Sequence, residues 1–377
     1  MTRLSVEQSL LLKLLTAALF QKKIDSLTDC NWDKVYALAK QQCIVALVEP
    51  FVPVKYKEAW TEETFQTVSR FVQLTYEQET LISMFQKPDI PMVIIKGTAA
   101  AMYYPEPSRR SMGDIDFFVP EQWIPKAKEL MEDNAYNYFG KDRRHYEYFK
   151  NNFEFEMHMH ISSKNFNSVD HIFLDGMRNR STYQVKEFTF PGLPQMENGL
   201  VLLGHMMQHL KGSGLGLRQV IDWMMFVYHE LDDEVWEKSF RKFAVEAGLE
   251  KLAITTTYLC KKWLGLPNDI TWCNGVDEEL ADLLLEQLLM DGNLGNARPA
   301  VKVRNSMRNK GFFSYLQSAG MSNWKLAQRH VAVRPFAWLY QVCRLTRQWI
   351  AGVVNGKNEL KGAMSGKKIE EIWKRLE

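Results

Sequence analysis

Eight consecutive residues, Phe153–His160, alternate strictly between apolar and polar side chains. Successive side chains of a β-strand point to opposite faces, so this pattern predicts a strand over Phe153–Ile161 with one apolar and one polar face. Two short apolar runs, Ile90–Ile95 and Ile115–Val119, are rich in β-branched or aromatic residues and predict buried strands. Weaker strand signals lie at Tyr136–Gly140, His145–Lys150 and Tyr183–Phe190. The middle of the chain therefore predicts a small β-sheet.

Helical periodicity dominates the sequence on both sides of these strands. The predicted helices are Val6–Phe20, Trp32–Val48, Glu58–Gln86, Gln122–Asp133, Val169–Asn179, Met196–Lys211, Leu217–Leu231, Asp233–Ala247 and Leu249–Leu264. We therefore predict an α+β fold with a small mixed sheet, flanking helices, and helical regions at both ends. The expected divisions are an N-terminal helical region at 1–88, a core at 89–192, a helical domain at 193–295, and a basic, aromatic-rich helical tail at 296–377.

The cysteine and hydropathy patterns indicate a soluble protein of a reducing compartment. The five cysteines are scattered and form no CxxC pair, which argues against a zinc ribbon or a disulfide framework. The leucine-rich N-terminus is interrupted by Glu7, Gln8 and Lys13, which fits a helix with one wet face better than a signal peptide. No apolar stretch reaches the roughly 18 residues of a membrane span. We therefore expect a cytoplasmic location.

Positive charge is concentrated towards the C-terminus. Residues 298–377 contain 16 Lys or Arg and four acidic residues, a balance of +12, whereas the whole chain carries +2. Aromatic and basic side chains interleave there, at Trp338, Tyr340, Arg344, Arg347 and Trp349. The pattern fits RNA contact through stacking and phosphate neutralisation, or peripheral contact with an anionic membrane. A core-facing aromatic stripe with an exposed basic face is the simplest of the three interpretations.

Three acidic residues of the predicted sheet can share one edge. Asp114 and Asp116 are two residues apart, so both carboxylates project from the same face of a strand. Two carboxylates this close repel each other unless a cation lies between them. If the strand of Glu156 pairs beside them, three carboxylates can hold two metal ions about 3.5–4 Å apart. Mg²⁺, or Mn²⁺, bound to a substrate phosphate suits such a site, and Glu154 is the alternative to Glu156.

The segment Lys96-Gly97-Thr98 lies where a predicted strand gives way to a helix. Gly97 allows close approach of the backbone to a phosphate, and the start of a helix offers free N–H groups, to which the Thr98 hydroxyl can add a donor. Arg109 and Arg110 precede the acids, and a guanidinium there can clamp phosphate oxygens. We therefore predict Lys96, Gly97, Thr98 and Arg110 as nucleotide-binding residues.

These motifs resemble the bacterial uncharacterised nucleotidyltransferase family of the DNA polymerase β-like superfamily. The matching positions are Lys96, Gly97, Tyr104, Pro105, Arg110, Gly113, Asp114, Asp116, Glu156 and His158. The resemblance continues through His205, His209, Arg218 and Asp222, and covers about residues 90–265. One departure is Thr98, because superfamily members usually carry Gly-Ser or Gly-Gly where this chain has Gly97-Thr98.

The resemblance implies transfer of a nucleoside monophosphate from a nucleoside triphosphate to an acceptor hydroxyl, with release of pyrophosphate. It implies that Asp114, Asp116 and Glu156 bind Mg²⁺ and act in catalysis. His158 is expected to orient Glu156 or to touch phosphate. The acceptor stays open between RNA, a protein side chain, a sugar and a small molecule.

Two other functions fit parts of the sequence. A catalytically inert nucleotide-binding module would keep the fold, although the presence of both aspartates argues against it. A metal-dependent hydrolase would use His158 and His160, with Asp114 or Asp116 completing a zinc site. Four helical residues are expected to pack or to line a pocket, with an i,i+4 ion pair between the last two: His205, His209, Arg218 and Asp222.

Overall fold

The computed structural model describes residues 4–24, 29–141, 144–161, 168–211, 214–267, 269–293, 333–354 and 371–376. Helices α1–α13 span, in chain order, Val6–Phe20, Trp32–Gln41, Val45–Val48, Lys57–Gln86, Gly97–Ala101, Ile124–Asp133, Asp170–Arg178, Gln195–Lys211, Leu217–Glu230, Asp233–Val235, Arg241–Glu246, Glu250–Leu264 and Glu278–Asp291. A π-helical turn, Trp236–Phe240, joins α10 to α11, and a further helix spans Arg334–Val354.

Strands β1–β7 span Val93–Ile94, Ile115–Phe118, Asn137–Lys141, His145–Lys150, Phe153–His158, Ser181–Val185 and Phe188–Gly192. They form one sheet in the order β3-β4-β5-β2-β1-β7-β6. Strands β2 and β5 are parallel, as are β1 and β7, whereas the other neighbouring pairs are antiparallel. The predicted α+β class with a mixed sheet is therefore confirmed.

The single strand predicted over Tyr183–Phe190 is wrong, because this segment is a hairpin of β6 and β7. The chain reverses at Lys186, whose φ is 53°. Glycine or asparagine usually occupies such a left-handed position, so a Lys-Glu turn gives no turn signal in the sequence.

The single helix predicted over Trp32–Val48 is also wrong, because the chain leaves the helical path at Cys43, where φ is 56°. The buried side chain of Gln42 explains the break. Its amide nitrogen donates to the Leu288 carbonyl at 2.9 Å, and its amide oxygen accepts from the Leu217 backbone N–H at 2.8 Å. These partners are distant in the sequence, so helical periodicity could not predict them.

Two hydrophobic clusters form the core, and the 30-residue helix α4 contributes to both. Trp60 belongs to the helical cluster, which also contains most of the buried apolar side chains of α1, α8, α9 and α12. Phe71 and Phe85 belong to the cluster under the sheet, where Phe85 packs edge-on against Phe117 with ring centroids 5.5 Å apart. The N-terminal region therefore supplies part of the sheet's own core, and the divisions drawn from the sequence stay predictions.

Helix α1 lies within the helical cluster, with Leu11, Leu14 and Leu15 fully buried. Beyond the first turn, Lys13 is the one residue of α1 that is exposed to solvent, so the predicted polar face is narrow. None of the helices in the described ranges combines the length and the apolar character of a membrane span.

Most of the predicted tail at 296–377 lies outside the described residues, as do the side chains of Arg344, Arg347 and Trp349. In the helix Arg334–Val354, Ala337 is buried while Phe336 and Leu339 are exposed. The three interpretations of the tail stay predictions.

Candidate active site

Asp116 on β2 and Glu156 on β5 are direct neighbours across the parallel strand pair. The pairing that the alternating segment suggested is therefore confirmed. Asp114 lies just before β2, and one carboxylate oxygen from each of the three residues lies within 4.8 Å of the others. We call Asp114, Asp116 and Glu156 the carboxylate cluster. It matches the three acids named from the sequence, and it offers the oxygen ligands that divalent cations prefer.

Lys96 projects into the carboxylate cluster from the start of α5. Its Nζ donates a 2.5 Å hydrogen bond to Asp116 Oδ1 and lies 3.8 Å from Glu156 Oε2. Its backbone has φ 57° and ψ −124°, a combination that glycine usually adopts. Strain of this kind is characteristic of functional sites, where surrounding packing fixes a residue against its preference. Lys96 Nζ therefore lies among the three carboxylates, and a phosphate that it binds would lie beside them.

The charges of the cluster act strongly on one another. Burial, together with the charges of Asp116 and Glu156, raises the pKa of Asp114 to about 7. Burial also favours the neutral form of Asp116, but the Lys96 ammonium holds the pKa of Asp116 below its ordinary value. Burial opposes the charge of Lys96 too, yet the three carboxylates raise its pKa. The cluster thus keeps more negative charge than its one ammonium balances, which favours the binding of a further cation.

His158 contacts both acids of the strand pair. Its Nε2 lies 2.8 Å from Asp116 Oδ1 and 3.2 Å from Glu156 Oε2. His160, expected beside it in a hydrolase site, lies beyond the end of β5, and its Nδ1 is 3.1 Å from Asp170 Oδ2. The structure does not bring His158 and His160 together as that alternative requires, because the alternation of side chains continues only while the backbone stays extended.

His145 occupies the place that the sequence analysis gave to His160. It lies on β4 opposite His158, and its Nε2 is 3.3 Å from Glu147 Oε1 and 3.7 Å from Glu156 Oε1. The alternation of His145 and Glu147 along a predicted strand is a signal that could have identified this residue. It was missed because the neighbouring strand carries a longer and clearer alternation.

Thr98 and Gly97 lie at the start of α5 beside the site. The Thr98 hydroxyl is buried and donates a 2.7 Å hydrogen bond to Gln78 Oε1 on α4. A Cβ placed on Gly97 would meet only the methyl group of Met112, at 3.4 Å, so packing does not require glycine here. The side chain of Thr98 is thus used within the core, and its predicted contact with phosphate stays a prediction.

Arg110 is also buried and paired. Its Nε and one terminal nitrogen each donate a 2.7 Å hydrogen bond to the carboxylate of Asp222, which also accepts from the Tyr104 hydroxyl. The predicted Arg218–Asp222 ion pair is therefore wrong. Arg218 instead donates to the Ser111 carbonyl at 2.9 Å. Tyr104, Arg110 and Asp222 together hold the loop before Asp114 against α9.

Arg70 on α4 is a site residue that the sequence analysis missed. It donates a 2.9 Å hydrogen bond to the Gly113 carbonyl, next to Asp114, while its guanidinium stacks 4.4 Å from the ring centre of Phe153. It lies 43 residues before its acceptor in the chain. No motif links positions this far apart, so only the packing of α4 against the sheet reveals this contact.

A narrow cleft opens beside Lys96 towards α8. It is lined by Ile95, Lys96, Arg144, His158, Ile161, Val201, His205 and Gln208. The Nε2 atoms of His205 and His209 lie 2.6 Å apart. Burial, the His209 ring and the Lys96 ammonium lower the pKa of His205 well below its ordinary value, and burial lowers that of His209 to about 3. Both rings are therefore neutral at pH 7, and one must donate its Nε2 proton to the other. His205 lines the cleft, as expected from the sequence, and His209 contacts His205.

The geometry agrees with a comparison of the chain with known families. The sequence profile of the family described as "uncharacterised nucleotidyltransferase" matches residues 26–265. No curated protein shows a significant match. The matched range contains the carboxylate cluster, Lys96, and also Arg70 on α4, which lies before the range that the motifs covered. The profile covers more than half of the chain, so this protein belongs to the uncharacterised nucleotidyltransferase family.

Proposed function

We propose that this protein transfers a nucleoside monophosphate from a nucleoside triphosphate to an acceptor hydroxyl and releases pyrophosphate. The observation that carries the proposal is the register of β2 and β5, which sets Glu156 beside Asp116 and completes the carboxylate cluster with Asp114. Family membership supports the general reaction, whereas the acceptor, an RNA end, a protein side chain, a sugar or a small molecule, is left open.

The donor set fits Mg²⁺, with Mn²⁺ as the alternative. Asp114, Asp116 and Glu156 offer hard carboxylate oxygens from two neighbouring strands in the middle of the sheet, and Lys96 balances part of their charge. These three residues would hold the ion, which when bound supplies charge stabilisation at the phosphate and lowers the pKa of a bound hydroxyl.

The protein's own groups have separate tasks in this proposal. Lys96 donates from Nζ to a phosphate oxygen and neutralises charge on the leaving pyrophosphate. The acceptor oxygen forms a bond to the α-phosphorus while the bond to pyrophosphate breaks, and the hydroxyl proton passes to a carboxylate of the cluster. His158 orients Glu156 and Asp116 through its Nε2. We propose that Thr98 positions the Lys96-Gly97 turn through its hydrogen bond to Gln78. Arg110 positions the loop before Asp114 through its ion pair with Asp222.

Calorimetric titration of each nucleoside triphosphate with Mg²⁺ tests the proposal. The comparison is between wild type and the double variant Asp114→Ala, Asp116→Ala. The matched control is Glu132→Ala, Asp133→Ala, which removes two exposed acids at the end of α6. Binding that needs Mg²⁺, survives in the control and disappears in the double variant supports the site. No binding of any nucleoside triphosphate by wild type would overturn the proposal.

Label placed in the α-phosphate of the bound nucleotide separates transfer from binding alone. Incubation with candidate acceptors should move the label to an acceptor in wild type and not in the double variant. A wild type that binds nucleotide and leaves all the label in the nucleotide or its hydrolysis products, across RNA, protein, sugar and small-molecule acceptors, would favour the inert binding module.

A further inference from the structure

We infer that His145, Glu147, Glu156 and His158 form a second metal site, which takes a transition-metal dication and best matches zinc. The four residues lie on neighbouring antiparallel strands, where His145 is the register partner of His158 and Glu147 that of Glu156. Alternation of side chains places all four on one face of the sheet. We call this set the histidine site.

Three of the four residues of the histidine site place donor atoms close enough to share one ion, and Glu147 lies beside one of them. Ligand atoms of His145, Glu156 and His158 lie within 4.8 Å of one another, and Glu147 Oε1 lies 3.3 Å from His145 Nε2. In a tetrahedral zinc site with bonds of about 2.0–2.2 Å, ligand atoms are separated by about 3.4 Å. Contraction of these three donor atoms around one ion, with rotation of the Glu147 side chain, would therefore complete the site.

The two imidazoles have more acceptors around them than they can satisfy with protons. His145 Nε2 faces carboxylate oxygens of Glu147 and Glu156, and His158 Nε2 faces those of Asp116 and Glu156. A neutral ring carries a single N–H and can serve one acceptor at a time. A dication satisfies an imidazole nitrogen and several carboxylates together.

Glu156 belongs to both the histidine site and the carboxylate cluster. Its Oε2 faces Lys96 and His158, whereas its Oε1 faces His145. The Lys96 ammonium lies on the Oε2 side, 3.8 Å from Oε2 and 3.5 Å from His158 Nε2. One carboxylate with its two oxygens turned to different sides can bridge two ions.

The chemistry of the donors decides which ion the histidine site prefers. Mg²⁺ and Ca²⁺ select oxygen ligands, whereas imidazole nitrogen favours zinc and its transition-metal neighbours. Two imidazoles and two carboxylates make a four-ligand set of the kind that zinc accepts. Both rings are shielded from water, with exposed fractions of 6% for His145 and 2% for His158. The inference needs no nucleotidyl transfer, because the ion can bind whether or not the protein is a transferase.

Cobalt(II) is the probe, because its visible absorption reports nitrogen ligation and low coordination number. Chelator-treated full-length protein is titrated with Co²⁺, then with Zn²⁺ in competition, in the presence of excess Mg²⁺. We expect one equivalent of Co²⁺ with intense visible bands that Zn²⁺ displaces and Mg²⁺ does not. His145→Ala should weaken binding by more than about 100-fold, because loss of a ligand should exceed the 10- to 100-fold effect of losing a ligand's outer partner.

The matched control is His160→Ala, which removes an imidazole two residues from His158 that is paired with Asp170 instead. It should leave the cobalt spectrum unchanged. His145→Gln keeps a hydrogen-bond donor beside Glu147 and guards against loss of folding, which thermal unfolding of each variant checks. An unchanged cobalt spectrum in a folded His145 variant, or a wild type whose Co²⁺ is fully displaced by Mg²⁺, would overturn the inference.

The two proposals can fail separately. Asp114→Ala should lose binding of the Mg²⁺–nucleotide complex and keep the cobalt bands, whereas His145→Ala should lose the bands and keep nucleotide binding. Absent bands with intact Mg²⁺–nucleotide binding reject the histidine site and leave the transferase proposal standing. The reverse result rejects only the transferase proposal.

Discussion

The guanidinium group of Arg110 forms two 2.7 Å hydrogen bonds with the carboxylate of Asp222, joining the loop before Asp114 to helix α9. Both side chains are 4% exposed. Arg110 therefore holds the loop before Asp114 in place from within the core. Because the charges of Arg110 and Asp222 are buried and paired, removing either side chain should strongly lower the stability of the protein.

Asp222→Ala should lower the free energy of unfolding by about 3–5 kcal/mol, because it leaves the Arg110 charge buried and unpaired. Urea denaturation followed by circular dichroism measures the loss. Glu234→Ala is the control, since it breaks an exposed pair with Lys238 and should cost less than about 1 kcal/mol. Equal stability losses in the two variants would contradict the role given to Arg110.

Thr98→Val should lower stability more than it lowers nucleotide affinity, because the Thr98 hydroxyl positions the Lys96-Gly97 turn and does not bind the nucleotide itself. The substitution keeps the shape of the side chain but leaves the buried Gln78 Oε1 without its 2.7 Å donor, which costs about 1–3 kcal/mol. Urea denaturation and calorimetric titration on the same preparation separate the two effects, and Thr98→Ser should restore stability. A variant that stays stable but loses nucleotide would show that Thr98 contacts phosphate directly.

Asp114→Asn should stabilise the metal-free protein at high pH. The pKa of Asp114 is raised to about 7 in the folded protein, against about 3.9 in an unfolded chain. Between these values the native state binds more protons, so wild-type stability falls as pH rises from about 4 to about 7. The variant escapes this loss and should gain about 1–3 kcal/mol above pH 7, with the gain shrinking towards pH 4.

Thermal unfolding in chelator across pH checks this prediction. Asp175→Asn, at an exposed acid paired with Arg178, should show no such pH-dependent gain. Added Mg²⁺ should stabilise wild type more than Asp114→Asn, because the ion replaces repulsion between the carboxylates by shared coordination. A gain that is equal at pH 5 and pH 8 would contradict the assigned cause.

Arg70→Gln should weaken binding of the Mg²⁺–nucleotide complex by about 10- to 100-fold, as loss of an outer partner of a metal ligand does. The reason is that Arg70 holds the Gly113 carbonyl and so sets the position of Asp114. Calorimetry gives the affinity, with Arg178→Gln as the control on an exposed arginine. Wild-type affinity in a folded Arg70→Gln would remove Arg70 from the site.

The local pattern of the sequence was sufficient for the elements that carry the acids. Strict alternation predicted β5, and the spacing of Asp114 and Asp116 predicted carboxylates on one strand edge, because side-chain direction along a strand follows from backbone geometry alone. Turns without glycine escaped this reasoning, as Lys186 and Cys43 show, because neither residue type signals the left-handed backbone that it adopts.

Which side chains meet was decided by the tertiary structure. Lys96 lies 20 residues from Asp116, and Arg110 lies 112 residues from Asp222, yet both pairs are in direct contact. The sequence by itself determined which residues could bind a cation or an anion, since that depends on chemical type and local spacing. Strand order and register decided that Lys96 enters the carboxylate cluster and that His145 rather than His160 faces Glu156. The packing of α4 and α9 decided that Arg110 pairs with Asp222.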